Sequence, residues 1–214
     1  MAITADAPVT SRWRTSPARL ARLLAGLWLF GAGEALLVDA ALGNTPWTVL
    51  AEGVSLHAPL TVGTATVVIG AVVLCGWIPL RERPGLGTVL NVVVIGLALD
   101  VMRLVVPTPQ PLGARAALVL LGIGLVGLGS GFYLTADLGP GPRDGWMTGL
   151  RRRFGWPLAG VRFGIEVSVL VAGWLLGGTV GLGTVAFALL IGPAVGAGVR
   201  LLGRPAPLPG HSAE

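Results

Sequence analysis

The residues of this chain that are best placed to do chemistry are ionisable side chains in or beside long apolar runs. Six of them form the candidate substrate or ion site: Glu34, Asp100, Arg143, Asp144, Arg162 and Glu166. A charge is costly inside an apolar segment, so each position is a functional candidate unless a partner neutralises it.

Glu34 lies in the middle of the first apolar run, beside Gly31 and Gly33. One interpretation is a proton or cation site. The other is a neutral carboxyl group that is hydrogen-bonded across a helix interface. Asp39 lies five residues further on, nearer the end of the run, and we expect it to be solvated there.

Two spacings place opposite charges on one helix face. Asp100 and Arg103 are three residues apart, and Arg162 and Glu166 are four residues apart. A structural ion pair explains both spacings, because pairing lowers the cost of inserting charge into a membrane. For Asp100, the outer end of a permeation route is the alternative.

Arg143 and Asp144 open a short glycine-rich segment. The start of a helix with nearby glycines could bind an anionic group, or Arg143 could meet anionic lipid headgroups. We expect this pair to join Arg162 and Glu166 in one polar cluster on the inner side of a membrane.

The composition is typical of an integral membrane protein. Hydrophobic residues make up 53% of the 214 positions, charged residues only 12%, and the mean hydropathy is +0.80. A soluble domain has about 25% charged residues. The net charge of +5 is spread over loops, which favours a lipid bilayer as partner and argues against nucleic acid.

The sequence lacks the signatures of an enzyme. It contains no P-loop, no HExxH and no CxxC motif, and the single Cys75 cannot form an intrachain disulfide. We therefore expect no catalytic activity, no metal site and no cofactor.

Six segments are apolar enough to span a bilayer, since a spanning helix needs about 20 such residues. They are residues 20–41, 61–80, 87–106, 116–137, 160–178 and 182–202. Two further segments, 45–57 and 141–154, are too short to span and begin near a proline, which suits a first helical turn. The predicted fold is an all-α polytopic membrane protein with two short interfacial or re-entrant helices.

The arginines predict the orientation. With the amino terminus inside, thirteen arginines lie on the inner side, and only Arg103 and Arg115 lie outside. This bias predicts that both termini are cytoplasmic.

An internal repeat divides the chain into two halves. The string Gly-Leu-Gly-Thr-Val at residues 85–89 recurs at 181–185, an offset of 96, and other glycines and prolines recur in the same register. Three spans per half is an odd number, so the halves should be inverted relative to each other. The predicted organisation is a disordered cytoplasmic tail (1–19), repeat 1 (20–106), a linker (107–115), repeat 2 (116–202) and a cytoplasmic tail (203–214).

The chain resembles the YczE/YitT family of bacterial integral membrane proteins. The resemblance covers roughly residues 20–202 and rests on the stretches LGNTPWTVLAEGV, GLGTVLNVVVIGLALD, LGPGPRDGWMTGLRRRFG, RFGIE and GWLLGGTVGLGTVAFALLIGP. It implies a multi-pass protein of the bacterial inner membrane, closer to the YczE branch because no soluble carboxy-terminal domain follows. It implies no reaction.

Two functions remain open. The inverted repeat, paired short helices and acids within spans favour a small secondary transporter or permease of a small molecule or ion. The alternative is a non-transporting membrane partner or assembly subunit of a larger complex, with homo-oligomers also open. An intramembrane enzyme ranks last.

Overall fold

The computed structural model describes residues 12–203, and every regular element in that range is an α-helix. The helices are α1 (Pro17–Ala40), α2 (Pro46–Ser55), α3 (Val62–Cys75), α4 (Trp77–Leu80), α5 (Leu86–Val105), α6 (Leu112–Ala136), α7 (Pro142–Phe154), α8 (Leu158–Leu175) and α9 (Leu182–Leu202). Residues 1–11 and 204–214, which include Arg204 and most of both predicted tails, lie outside the described residues.

Six helical segments in this range are long and apolar enough to cross a membrane: α1, α3 together with α4, α5, α6, α8 and α9. They coincide with the six predicted spans to within a few residues, and the two short helices also occur where the sequence predicts them. The all-α fold with six candidate spans is therefore confirmed. We call the end of the bundle at which α1 begins the near face, and the other end the far face.

The first helix starts earlier than predicted. Its first residue is Pro17, in the first turn where proline is tolerated, and the Ser16 hydroxyl accepts a hydrogen bond from the Arg19 amide at 3.3 Å. The Leu86 amide also donates to the Arg12 carbonyl at 3.0 Å. Residues 12–16 thus lie against the start of α5, whereas the sequence placed them in a disordered tail.

Glycines allow α1 and α6 to pack closely in the centre of the bundle. A Cβ atom at Gly26 would lie 2.8 Å from the Gly129 carbonyl oxygen, and one at Gly33 would lie 2.6 Å from that of Gly122. Such contacts between small residues hold membrane helices together. Helix α1 is mostly buried, whereas α8 and α9 are mostly exposed and present apolar surface.

The loops that precede the two short helices share one backbone conformation. Ala41 and Asp137 have φ of 50° and 49°, and Gly43 and Gly139 have φ of 111° and 118°. Positive φ suits glycine because it has no Cβ. Residues 96 apart therefore turn the chain in the same way after α1 and after α6.

Hydrogen bonds anchor these two loops at matched positions. The Gly183 amide donates to the Leu42 carbonyl at 2.7 Å, and the Gly87 amide donates to the Leu138 carbonyl at 2.8 Å. Each loop is thus tied to the start of a helix in the other half of the sequence.

Two arginines cap the carboxy-terminal ends of the central helices α1 and α6. The caps are crossed, because each arginine lies on one of these helices and caps the other. Arg115 donates to the carbonyls of Ala40 (2.7 Å) and Ala41, at the end of α1. Arg19 donates to the Ala136 carbonyl at 2.8 Å, at the end of α6. Both arginines satisfy carbonyls that have no partner within their own helix.

Candidate functional site

The start of α2 lies inside the bundle, beside Glu34 of α1. The buried Glu34 carboxylate accepts a hydrogen bond from the Thr45 hydroxyl at 3.1 Å and a second one from the Thr48 hydroxyl. Glu34 lies six residues before the end of α1, or about 9 Å along the helix axis. The loop after α1 therefore turns back into the bundle before α2 begins.

Local sequence explains why α2 starts at this point. The Thr45 side chain accepts a hydrogen bond from the Thr48 amide at 3.3 Å, which is the usual geometry of a helix N-cap. Pro46 occupies the first helical position, where its missing N–H costs nothing. The two threonines thus cap α2 and hold Glu34 at the same time.

The start of α7 is held in a comparable way by α6. The Asp144 carboxylate accepts hydrogen bonds from the Tyr133 hydroxyl at 3.0 Å and from the Gly141 amide at 3.2 Å. The Tyr133 hydroxyl in turn accepts from the Gly141 amide at 2.7 Å. Because Tyr133 lies three residues before the end of α6, α7 also begins inside the bundle.

The first turns of α2 and α7 meet in the interior. The guanidinium carbon of Arg143 lies 4.7 Å from the centre of the Trp47 ring, a cation–π contact. Both residues occupy the second position of their helix. The positive ends of two helix dipoles, which enter from opposite faces, therefore converge at this point.

Arg143 has charged neighbours but donates no hydrogen bond to any residue that the structure describes. Burial lowers the pKa of its guanidinium, while the negative charges of Glu34, Glu166 and Asp144 raise it. Arginine stays protonated in proteins, because the ordinary pKa of its guanidinium lies far above neutral pH. The centre thus holds a cation with five N–H groups and no direct acceptor among the described residues.

Two cavities are lined by the Trp47 ring on which this cation stacks. A cleft of about 960 Å³ lies between α3 and α8 and is floored by α2 and α7. A smaller cavity of about 40 Å³ contains the Arg143 side chain and the Asn91 amide in its lining. The two cavities share three lining residues: Trp47, Ile69 and Val73.

Other donors around the small cavity are also unused. The buried Nε1 atom of Trp47 has no hydrogen-bond partner within residues 12–203. The Asn91 side chain makes no hydrogen bond to any described residue. Trp47 is buried, whereas Arg143 and Asn91 are half-buried, and all three side chains have N–H groups available to an acceptor-rich molecule.

The structure separates Asp100 from this centre. Asp100 accepts hydrogen bonds from the Thr61 hydroxyl and, at 2.8 Å, from the Gly63 amide, and so holds the start of α3 at the far face. The predicted pairing of Asp100 with Arg103 is wrong. Arg103 pairs with Asp39 at 3.1 Å, and Asp39 is therefore buried rather than solvated.

The predicted pair of Arg162 and Glu166 is also wrong. Arg162 is exposed and has no ion pair or hydrogen bond among the described residues, because its side chain points away from the bundle. Glu166 is half-buried and acts electrostatically on Glu34 and Arg143. Of the six candidates, Glu34, Arg143, Asp144 and Glu166 converge, whereas Asp100 and Arg162 do not.

Sequence reasoning missed the neutral members of the site: Thr45, Trp47, Thr48, Asn91 and Tyr133. An N-cap signal, Thr-Pro at positions 45–46, was available for the first of them. Nothing local to the sequence shows that this cap faces Glu34.

Six apolar helices of spanning length around a buried polar centre define a polytopic α-helical membrane protein. A family described as of unknown function, DUF6198, matches residues 17–199. The chain belongs to this family of YczE-like membrane proteins, which confirms the resemblance to YczE.

Relatives with similar sequences occur in two bacteria. An uncharacterized protein of Haemophilus influenzae is 43% identical over 186 residues, which cover 87% of this chain and 85% of the relative. The uncharacterized membrane protein YczE of Bacillus subtilis is 36% identical over 171 residues, which cover 78% of this chain and 79% of the relative. No solved structure matches this chain.

Proposed function

We propose that this protein is a small secondary transporter whose substrate site lies where α2 and α7 meet. The observation that carries the proposal is the convergence of the two helix starts on Arg143 and Trp47, beside buried Glu34. Short helices that point their amino termini at a central site are typical of secondary transporters.

The second part of the proposal is an inverted repeat. The crossed bonds from Gly183 to Leu42 and from Gly87 to Leu138 support it, because a two-fold axis between the halves exchanges one bond with the other. The crossed caps of Arg19 and Arg115 support it in the same way. An odd number of spans per half then gives the halves opposite orientations.

The proposed location is the bacterial inner membrane, with the near face and both termini in the cytoplasm. Arg151, Arg152 and Arg153 at the end of α7 support this orientation, because positively charged loops stay inside. The far face carries Arg103 and Arg115, both of which are engaged with α1.

Two residues have distinct roles in this proposal. Glu34 carries the coupling proton, since a buried carboxyl group held by Thr45 and Thr48 can exist in two protonation states. Arg143 binds an anionic group of the substrate, assisted by the helix dipoles. The role is not enzymatic, and the site needs no cofactor.

Comparative metabolite profiling of a deletion strain tests the transporter. We expect at least one compound whose ratio between cells and medium changes on deletion. The wild-type gene and Glu82→Gln should restore that ratio, because Glu82 pairs with Arg152 at the near face, away from the site. Glu34→Gln should not restore it.

Two results contradict the proposal. One is a deletion strain with no altered compound. The other is full restoration by Glu34→Gln. Either result together with a stoichiometric co-purifying protein would favour a membrane partner or assembly subunit instead.

A further inference from the structure

The apolar cleft and the small cavity with the unpaired donors are adjacent and share Trp47, Ile69 and Val73 in their linings. We infer that the two together form a binding site for an amphipathic anion from the surrounding bilayer, with its head group on Arg143 and its apolar chain in the cleft. The inference rests on the proposed function, because the same centre would hold the transported molecule.

The walls of the cleft suit a hydrocarbon chain. Their side chains are almost all apolar and come from four helices: Leu50 and Val54 on α2, Val68 and Val72 on α3, Leu150 on α7, and Ile165 and Val169 on α8. A volume of about 960 Å³ lies at the upper end of ordinary ligand sites, which are about 300–1,000 Å³.

The small cavity beside the cleft suits an anionic head group, because Trp47 and Arg143 both line it. Trp47 is 8% exposed, lines both cavities, and has no acceptor for its Nε1–H. The Arg143 guanidinium stacks on the same ring at 4.7 Å. A phosphate or carboxylate at this point would accept hydrogen bonds from both residues, and arginine matches such groups with two parallel bonds.

A cation fits this centre less well than an anion. The Glu34 carboxylate already accepts hydrogen bonds from Thr45 and Thr48, and the charge of Arg143 opposes a second cation. Among the described residues the Trp47 indole and the Arg143 guanidinium lack an acceptor, and both groups can only donate.

The cleft opens at an exposed apolar surface between α3 and α8. Val72 on α3 and Ser168 on α8 line its two walls and are both exposed at the surface that meets lipid. A molecule can therefore enter sideways with its chain already in an apolar environment. This route favours a bilayer component over a solute from water.

Binding to the purified full-length protein in a neutral detergent tests the inference. The probe is dodecyl phosphate. Dodecylphosphocholine has the same chain with a different head group, and inorganic phosphate has the head group without a chain, so these two ligands serve as comparisons. We expect dodecyl phosphate to bind at least about tenfold more tightly than either comparison, since both parts of the site contribute.

Two pairs of variants locate the site. Arg143→Gln should weaken dodecyl phosphate binding about tenfold or more, and Arg143→Lys should weaken it less, because lysine keeps the charge but not the paired geometry. The matched control is Arg162→Gln, since Arg162 is exposed and unpaired among the described residues. It should bind as the wild type does.

The second pair fills the cleft. Val72→Trp should weaken binding of dodecyl phosphate, whereas Leu189→Trp, at an equally exposed position on α9 outside the cleft, should not. Val72 lies at the surface, so this variant is expected to fold even if Arg143→Gln does not.

Several results overturn the inference. The first is that Val72→Trp binds dodecyl phosphate as tightly as the wild type does. The second is that dodecylphosphocholine or inorganic phosphate binds the wild type as tightly as dodecyl phosphate does. Dimers that Val72→Trp dissociates would assign the cleft to a second copy of the chain. Because the assay involves no transport, binding without any metabolite change would retain the inference and reject the transporter.

Discussion

Segments 41–48 and 137–144 have the same backbone and different chemistry. Each leaves a central helix through a residue with φ near 50°, passes a glycine with φ above 100°, and enters a short helix through a proline. At the position after that proline, one segment has Trp47 and the other Arg143. The matching loop and proline are thus followed by an aromatic ring in one half and by the cation that stacks on it in the other.

This comparison separates the structural features that the two halves have in common from the side chains that differ between them. The loops and glycines set where each short helix begins, and they do so alike in both halves. The side chains at the helix starts are unlike, since Thr45 and Thr48 hold Glu34 in one half while Asp144 is held by Tyr133 in the other. The loop backbone is common to both segments, whereas the side chains that form the candidate site differ between them.

The largest expected effect comes from the two loop glycines. A Cβ atom at Gly43 would lie 2.5 Å from the Gly181 amide nitrogen, and one at Gly139 would lie 2.8 Å from the Thr88 hydroxyl oxygen. Gly43→Val and Gly139→Val should each lower the free energy of unfolding by about 2–4 kcal/mol, because of strain at positive φ and overpacking. Titration with SDS in mixed micelles measures this loss.

A matched control exists in α6. A Cβ atom at Gly113 would meet no atom within 4 Å. Gly113→Ala should therefore leave the unfolding free energy unchanged or raise it by up to about 1 kcal/mol. If only one of the two loop glycines proved sensitive, the structural equivalence of the loops would be rejected.

The crossed arginine caps should give the next largest effect. Arg19→Gln removes hydrogen bonds to the end of α6, and Arg115→Gln removes those to the end of α1. Hydrogen bonds to charged groups contribute about 1.5–3 kcal/mol when buried, and these are partly exposed, so we expect losses of about 1–2 kcal/mol for each. The same SDS titration applies, and markedly unequal losses would argue against equivalent caps.

The smallest effect should separate the start of α2 from the exposed side of α7. Thr45→Ala removes the N-cap of α2, which contributes about 1 kcal/mol, and also one donor to Glu34. Thr148→Ala on α7 removes a hydroxyl at the exposed side of that helix and should cost less than about 0.5 kcal/mol. Thermal unfolding in detergent would resolve the difference, and equal losses would indicate that Thr45 has no special role.

Local sequence was sufficient to predict the helices but not the partners of their polar residues. Hydropathy is a property of a continuous segment, so all six spans and both short helices were predicted close to their observed bounds. The partner of Arg103 is Asp39 on α1 rather than Asp100 on its own helix. Spacing along one helix cannot show which neighbouring helix offers a better acceptor.

The centre itself needed the tertiary structure for a related reason. Glu34 was identified from its position within a span, yet its partners Thr45 and Thr48 reach it only because the chain turns back at Gly43. Arg143 and Glu166 were expected near each other, whereas the stacking of Arg143 on Trp47 was not. A contact between two segments about 96 residues apart depends on the packing of both halves.

Labelling of single cysteines tests the inverted arrangement most directly. In a Cys75→Ser background, Leu56→Cys marks the end of α2 and Phe154→Cys marks the end of α7, both at exposed positions. The account predicts that a membrane-impermeant maleimide modifies Leu56→Cys in intact cells and Phe154→Cys only after the membrane is opened. Modification of both from the same side would contradict it.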